Sequence, residues 1–276
     1  MPGKATRASA ALPALGALAY TAWVLEVLVH TGLDPVRTYV SELAAEDQPL
    51  GAFFRATDLV AGALILAGAV TGLLGTGRPR RTGQPTGTGR LTGAGRPAGE
   101  GRSAGEGRSA GDGRPQEGGR SPGPCRRTSR EPWALVGWIA LAVFGAATVA
   151  DSRLPLSCAV TADPACAARE SAGLVPATHT AHAVSSGLAM TAALVALVAL
   201  TVAARRCDGR SPLARTGPVL VAVELAATVW TLAAVAAFEA GNGTWALGAG
   251  QRLQVLLVAV WLAVLAYSLA VSQEER

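Results

Sequence analysis

The segment of residues 176–204, "PATHTAHAVSSGLAMTAALVALVALTVAA", decides the fold class of this 276-residue chain. From residue 181 to residue 204 it contains no Asp, Glu, Lys or Arg and is rich in Ala, Leu and Val. A bilayer core about 30 Å thick needs ~20 such residues in one helix. We therefore interpret the run as a membrane-spanning helix that has two histidines, His179 and His182, at its head.

Five further apolar runs have a similar length and lack the alternation of barrel strands, which favours helices. Half of the residues are hydrophobic and only 16% are charged, which is too apolar for an ordinary soluble domain. The sequence predicts an all-α integral membrane bundle of six transmembrane helices. The predicted spans are 10–30, 57–74, 133–150, 181–204, 217–238 and 253–270.

The connection 76–131 differs in composition and separates residues 1–75, with helices 1 and 2, from residues 132–276, with helices 3 to 6. It contains the repeat "GRPAGEGRSAGEGRSAGDGRPQEG" at 95–118. Gly, Pro, Ser and charges without apolar anchors predict a disordered linker. Its arginines could contact anionic lipid headgroups. Nucleic-acid binding is not expected, because acidic residues interrupt the arginines and no aromatic side chain could stack on bases.

Arginine placement predicts the orientation in the membrane. Arginines are concentrated in the 76–131 linker and in the connection before the fifth helix, so both termini should be cytoplasmic. Loops 31–56, 151–180 and 239–252 should then face outward from a plasma membrane. A cleaved signal peptide is the alternative for the first segment, but its apolar run continues beyond the 7–15 residues of a usual signal core. We expect the segment to be retained.

Two cysteines, Cys158 and Cys166, share the outward loop 151–180. We predict that they form a disulfide, as is usual in an oxidising compartment. A zinc site made by these cysteines with His179 and His182 is the alternative. The short spacings within each pair fall outside the usual Cys2His2 pattern.

Ionisable groups gather at the predicted outer ends of the helices, where charged side chains usually face a bundle interior or a cavity. Glu26 and His30 are spaced to share one helical face, and Glu224 stands apart, deeper in the fifth span. Three interpretations remain open: a metal site, a proton-responsive relay and a structural hydrogen-bond network. The outer rim comprises Glu26, His30, Ser41, Glu42, Asp58, Asp151, His179, His182, Glu239 and Arg252.

Two stretches resemble the family catalogued as domain of unknown function 998. They are "YVSELAAEDQPLGAFFRATDLVAG" at 39–62 and "ADSRLPLSC" at 150–158, which is followed by "THTAHA" at 178–183. The resemblance covers the chain outside 76–130 and implies a bacterial or archaeal multi-pass membrane protein with about six helices. No activity comes with it. The motif positions that it implies are Ser41, Glu42, Leu43, Asp151, Pro155, His179 and His182.

The expected function is non-enzymatic: a membrane component that responds to a ligand, lipid or proton. It would act in an outward polar cavity roofed by loop 31–56 and the Cys158–Cys166 loop, through His179, His182, Asp151 and Glu42. The alternative is a metal-dependent hydrolase of a lipid or envelope substrate. In that case zinc would be bound by His30, His179, His182 and Asp151, with Glu42 or Glu26 as the base. A small transporter is the third possibility, although the spans show no inverted repeat. The sequence identifies no protein partner.

Overall fold

The computed structural model of the chain describes residues 3–76, 131–207 and 209–274. Within these ranges it contains helices and no strand, and six segments are long and apolar enough to cross a membrane. The predicted all-α fold with six long apolar helices is therefore confirmed for the residues that the structure describes. The linker 76–131, apart from its two end residues, lies outside the described residues. The helices are α1 (Gly3–Tyr20), α2 (Gly51–Thr76), α3 (Pro132–Asp151), α4 (Pro164–Ser171), α5 (Ala177–Cys207), α6 (Pro212–Glu239) and α7 (Leu247–Glu274).

The six long helices pack in chain order around a closed ring, and the short α4 lies in the loop between α3 and α5. α1 contacts α2 and α7, α3 contacts α2 and α5, and α6 contacts α5 and α7. Fully buried side chains such as Phe144, Leu197 and Trp261 fill the core between them. This order brings the ends of α2, α3 and α5 close to one another.

Three of the helices begin with a proline that follows a capping residue. Glu131 accepts a hydrogen bond from the Ala134 N–H at 2.9 Å at the start of α3, and Ser211 caps α6 in the same way. Asp163 caps α4 by accepting from the Ala165 N–H at 2.9 Å. In each case the proline lacks only an N–H that a first helical turn leaves unpaired.

The first spanning segment is not one α-helix from 10 to 30, as its apolar run predicts. α1 ends at Tyr20, where the Thr21 hydroxyl donates to the Leu18 carbonyl at 2.7 Å, and a 3₁₀ segment continues over Ala22–Val27. The expected shared α-helical face of Glu26 and His30 is therefore wrong, because the α-helical spacing stops before either residue.

Asp58 also lies elsewhere on its helix than the sequence suggests. The predicted span begins at residue 57, which would put Asp58 in the first turn. α2 begins at Gly51, so the carboxylate lies seven residues inside the helix. Hydrophobicity marks the membrane-embedded part of α2 but misses the turns that precede it.

Candidate polar site where α3 meets α5

The Asp151 carboxylate, at the last residue of α3, is the centre of a hydrogen-bond network with α5. Ser185 donates to Asp151 Oδ1, and Ser186 Oγ lies 2.9 Å from Oδ1 and 3.0 Å from Oδ2. His182 Nδ1 lies 3.3 Å from the same Oδ1. The α-helical spacing of His182, Ser185 and Ser186 places all three on the face that meets α3.

His182 makes a second contact that fixes its orientation. Its Nδ1 lies 2.8 Å from the carbonyl oxygen of Leu154, just beyond α3. A carbonyl can only accept, so Nδ1 carries a proton and donates it to Leu154. Nε2 lies 3.3 Å from Ser186 Oγ.

Ser186 has one hydroxyl hydrogen for two neighbouring acceptors. If it donates that hydrogen to Asp151, only a protonated His182 Nε2 can donate to its oxygen in return. If His182 is neutral, Nε2 competes with Asp151 for the hydrogen. The hydrogen bond that Ser186 donates therefore depends on whether Nε2 of His182 carries a proton.

Asp58 of α2 belongs to the same region. It lies near enough to Asp151 for the two charges to interact, and the phenol of Tyr20 in α1 interacts with both. Tyr20 packs edge-on against Phe144 at 5.5 Å between ring centroids. Four helices thus bring one histidine, two carboxylates and a phenol to the end of the bundle where α3 ends.

His179 lies on the same helix but in a different environment. It is only 2% exposed, and its Nδ1 accepts from the Ser157 N–H at 3.3 Å. A backbone N–H can only donate, so Nδ1 holds no proton and the neutral ring carries its proton on Nε2. Nε2 lies 3.4 Å from the half-exposed carboxylate of Glu170 in α4. The two neighbouring histidines therefore hold opposite tautomers.

Glu42 connects loop 31–56 with loop 151–180. It lies in a 3₁₀ segment (Val40–Ala44) and accepts from the N–H of Thr161 at 2.8 Å and from the Thr161 hydroxyl. Burial raises the pKa of Glu42, and the hydrogen bonds from Thr161 oppose that shift only in part. Thr161 lies in the loop that the Cys158–Cys166 disulfide closes, with an S–S distance of 1.95 Å. The predicted disulfide is present and holds the residue that binds Glu42.

An aromatic contact reinforces this connection. Tyr39 meets Phe238 of α6 edge-on at 6.4 Å, and both rings pack beside the disulfide. Burial raises the pKa of the Tyr39 phenol, with the nearby carboxylates adding to the effect. The Glu46 N–H also donates to the carbonyl of Leu156 at 2.9 Å.

Glu26 and Arg252 form a buried ion pair, although sequence reasoning treated them separately. The guanidinium Nε and Nη2 atoms lie 2.6 and 2.7 Å from the two Glu26 oxygens. Arg252 Nη1 donates to the Thr38 carbonyl at 2.8 Å. Both carboxylate oxygens of Glu26 are thus bound by the guanidinium of Arg252, so neither oxygen is free to act as a base.

The remaining rim residues lie outside these clusters. His30 is exposed beside Leu43 and Phe54, Ser41 is partly buried, and Glu239 is exposed at the last residue of α6. In the described ranges, no group of three or more His, Cys, Asp and Glu side chains is arranged to hold a metal ion. Zinc binding by His30, His179, His182 and Asp151 stays a prediction.

Sequence reasoning missed several partners in these clusters. Ser185 and Ser186 could have been predicted from the sequence, because they follow His182 by three and four residues and so share its helical face. Ser157, Thr161 and Glu170 could not, because their contacts depend on how two loops fold over each other. Neither spacing nor residue type shows which partner Glu42 takes 119 residues away.

Comparisons with known proteins give one result. A comparison with curated proteins found no match, and a comparison with solved structures found none. The family model described as "Protein of unknown function (DUF998)" matches residues 13–95 and 123–268, which is most of the chain. This protein therefore belongs to the DUF998 family.

Proposed function

We propose that this chain is a proton-responsive membrane protein whose proton-binding site is His182 with Asp151. The observation that carries the proposal is the position of the imidazole, with Nδ1 on the Leu154 carbonyl and Asp151, and Nε2 on Ser186. Imidazole is the side chain that changes charge between pH 5 and 8. Gain of a proton at Nε2 would redirect the Ser186 hydrogen bond.

The response would reach the outer loops through the backbone that follows α3. The carbonyl of Leu154 accepts from His182, and the carbonyl of Leu156 two residues later accepts from Glu46. Glu42 ties the same two loops together through Thr161. In this proposal, loop 31–56 and the Cys158–Cys166 loop cover an outward-facing polar cavity that contains His182 and Asp151.

We also propose that the protein lies in a plasma membrane with both termini in the cytoplasm. Arg205 and Arg206 end α5 and Arg215 begins α6, which supports a cytoplasmic location for that end. The disulfide lies at the opposite end of α5, as an exposed oxidising side requires. In this orientation the arginine-rich 76–131 linker would face the anionic lipids of the inner leaflet.

The chain has only three histidines, which makes nitrogen NMR a direct test. We would label histidine with 15N, place the protein in lipid nanodiscs, and record the imidazole shifts from pH 5 to 8. His30→Gln and His179→Gln variants assign the signals. We expect Nε2 of His182 to change from an unprotonated to a protonated shift while Nδ1 stays protonated. A His182 signal that does not change over this range would contradict the proposal.

Hydrogen–deuterium exchange of the outer loops tests the response itself. We expect peptides from 38–50 and 153–163 to exchange differently at pH 5.5 and 7.5, after correction for intrinsic rates. The difference should vanish in His182→Gln and persist in His30→Gln, whose histidine is exposed and outside the network. Equal differences in both variants would show that His182 is not the sensor.

Metal content of the same preparation distinguishes the hydrolase alternative. Each Nδ1 is already committed, to Leu154 in His182 and to Ser157 in His179. If His182 senses protons, the purified protein should contain no zinc whose binding requires His179 or His182. Near-stoichiometric zinc that disappears in the His179→Ala/His182→Ala variant would instead favour a metal-dependent enzyme.

A further inference from the structure

A carboxylate outside the outer cluster lies in the middle of a spanning helix. Glu224 is twelve residues from the first residue of α6 and fifteen from the last. At 1.5 Å per residue, it is ~18 Å from one helix end and ~22 Å from the other. It is only 1% exposed. The proposed proton site at His182 does not use it.

Glu224 has no counter-charge among the described residues, because no arginine, lysine or histidine side chain there pairs with it. Its Oε2 atom is buried and has no hydrogen-bond partner. The nearest polar groups are neutral. Gln254 of α7 interacts with the carboxyl, and its Nε2 donates to Thr228 Oγ1 at 2.9 Å.

The titratable groups around Glu224 are few. In the part of the chain that the structure describes, Tyr20 of α1 interacts with it electrostatically. α5 carries titratable side chains only near its two ends, namely His179, His182, Arg205, Arg206 and Cys207. Those of α7 are Arg252, which is paired with Glu26, the exposed Tyr267, and Glu274 near the chain terminus.

An ionised carboxylate without a counter-charge is strongly disfavoured in this environment, and binding a proton removes the charge. We infer that Glu224 is a second proton-binding site, inside the membrane and separate from the His182–Asp151 site. A proton fits better than a metal cation. Hard cations take about six oxygen ligands, whereas the neighbouring Gln254 presents an N–H donor to Thr228.

Polar side chains also extend from Glu224 towards the outer end of α6. Thr228 and Thr231 follow it by four and seven residues and so lie on the same helical face. Thr231 is 8% exposed, its hydroxyl has no partner, and it faces α7 beside Gly250. These two hydroxyls lie at the contact between α6 and α7, on the side of Glu224 that leads to Glu239.

A hydrophobic carbodiimide tests this inference, because such reagents partition into the bilayer and react with protonated carboxyls. The carboxyl oxygen bonds to the central carbon of the reagent and the acid proton moves to a nitrogen, which gives an acylisourea. This product rearranges to a stable acylurea. We would treat wild-type protein in liposomes with dicyclohexylcarbodiimide at pH 7 and locate the adduct by peptide mass spectrometry. Glu239, exposed at the end of the same helix, is the matched control.

We expect modification of Glu224 to exceed that of Glu239 by at least about ten-fold, because a buried carboxyl without a counter-charge keeps its proton in the apolar phase where the reagent collects. The adduct should be lost in Glu224→Gln, retained in Glu239→Gln, and formed more slowly as the pH rises. Absence of the adduct from wild-type Glu224, or equal modification of both residues, would overturn the inference. So would protection by sodium ions at constant pH, which would indicate a cation site.

The two proton sites can fail independently. In His182→Gln the outer site is removed, and carbodiimide modification of Glu224 should be unchanged. In Glu224→Gln the interior site is removed, and the NMR titration of His182 should remain. The primary adduct is measured on the wild type, so the test does not depend on any variant folding.

Discussion

Single buried ionisable side chains of this protein make its free energy of unfolding depend on pH. Burial raises the pKa of Glu42 above its ordinary value of 4.5, so the folded chain binds this proton more tightly than the unfolded chain. The resulting stabilisation is present at low pH and is lost as the pH rises through the interval between the two values.

We therefore expect wild-type protein to lose stability as the pH rises from about 4.5. The Glu42→Gln variant should not show this loss. Glutamine can keep both contacts with Thr161, since its oxygen accepts and its NH₂ donates. Thermal unfolding in detergent at pH 4 to 7 measures the effect. Glu46→Gln is the control, because Glu46 is exposed on the same loop. An unchanged pH dependence in Glu42→Gln would refute the role assigned to burial.

The Glu26–Arg252 pair makes a second prediction at this scale. Removal of one member leaves the other charge buried, and each single variant, Glu26→Gln or Arg252→Gln, should lose about 3–5 kcal/mol of unfolding free energy. The double variant should lose less than the sum, because no unpaired charge remains. Unfolding of all four proteins in mixed micelles measures the coupling, and strictly additive losses would show that the pair does not act as a unit.

Helices and their packing were predictable from the sequence to different extents. Apolar run length locates all six spans, because bilayer thickness sets the length of a spanning helix. Helix ends were harder, since α5 starts at Ala177 and α7 at Leu247, ahead of their most apolar stretches. The Glu26–Arg252 pair was not predictable, because it depends on the end of α1 and on the ring closure between α1 and α7.

Glycines determine how closely α2 and α3 approach. A Cβ atom at Gly145 would lie 2.6 Å from the Leu66 nitrogen, which is backbone and cannot move aside. Gly145→Ala should therefore force the helices apart and cost about 1–3 kcal/mol. Gly187→Ala is the matched control, because a Cβ there in α5 meets nothing within 4 Å. Unfolding in mixed micelles compares the two, and equal stability would contradict the close-approach argument.

At the scale of the whole molecule, a cluster of arginines and the disulfide lie at opposite ends of α5. The arginines Arg205, Arg206 and Arg215 lie where α5 ends and α6 begins. α6 and α7 cross the membrane after that point, so residue 274 returns to the same side. The loop between α6 and α7 lies on the other side, together with the disulfide loop.

We expect a membrane-impermeant maleimide to label Asn242→Cys in intact cells and Glu274→Cys only after permeabilisation. Both positions are exposed, so accessibility within the protein is matched. The experiment uses a background without Cys125 and Cys207, while Cys158 and Cys166 are protected by their disulfide. The opposite labelling pattern would place the His182–Asp151 site towards the cytoplasm, and its proton would then report internal rather than external pH.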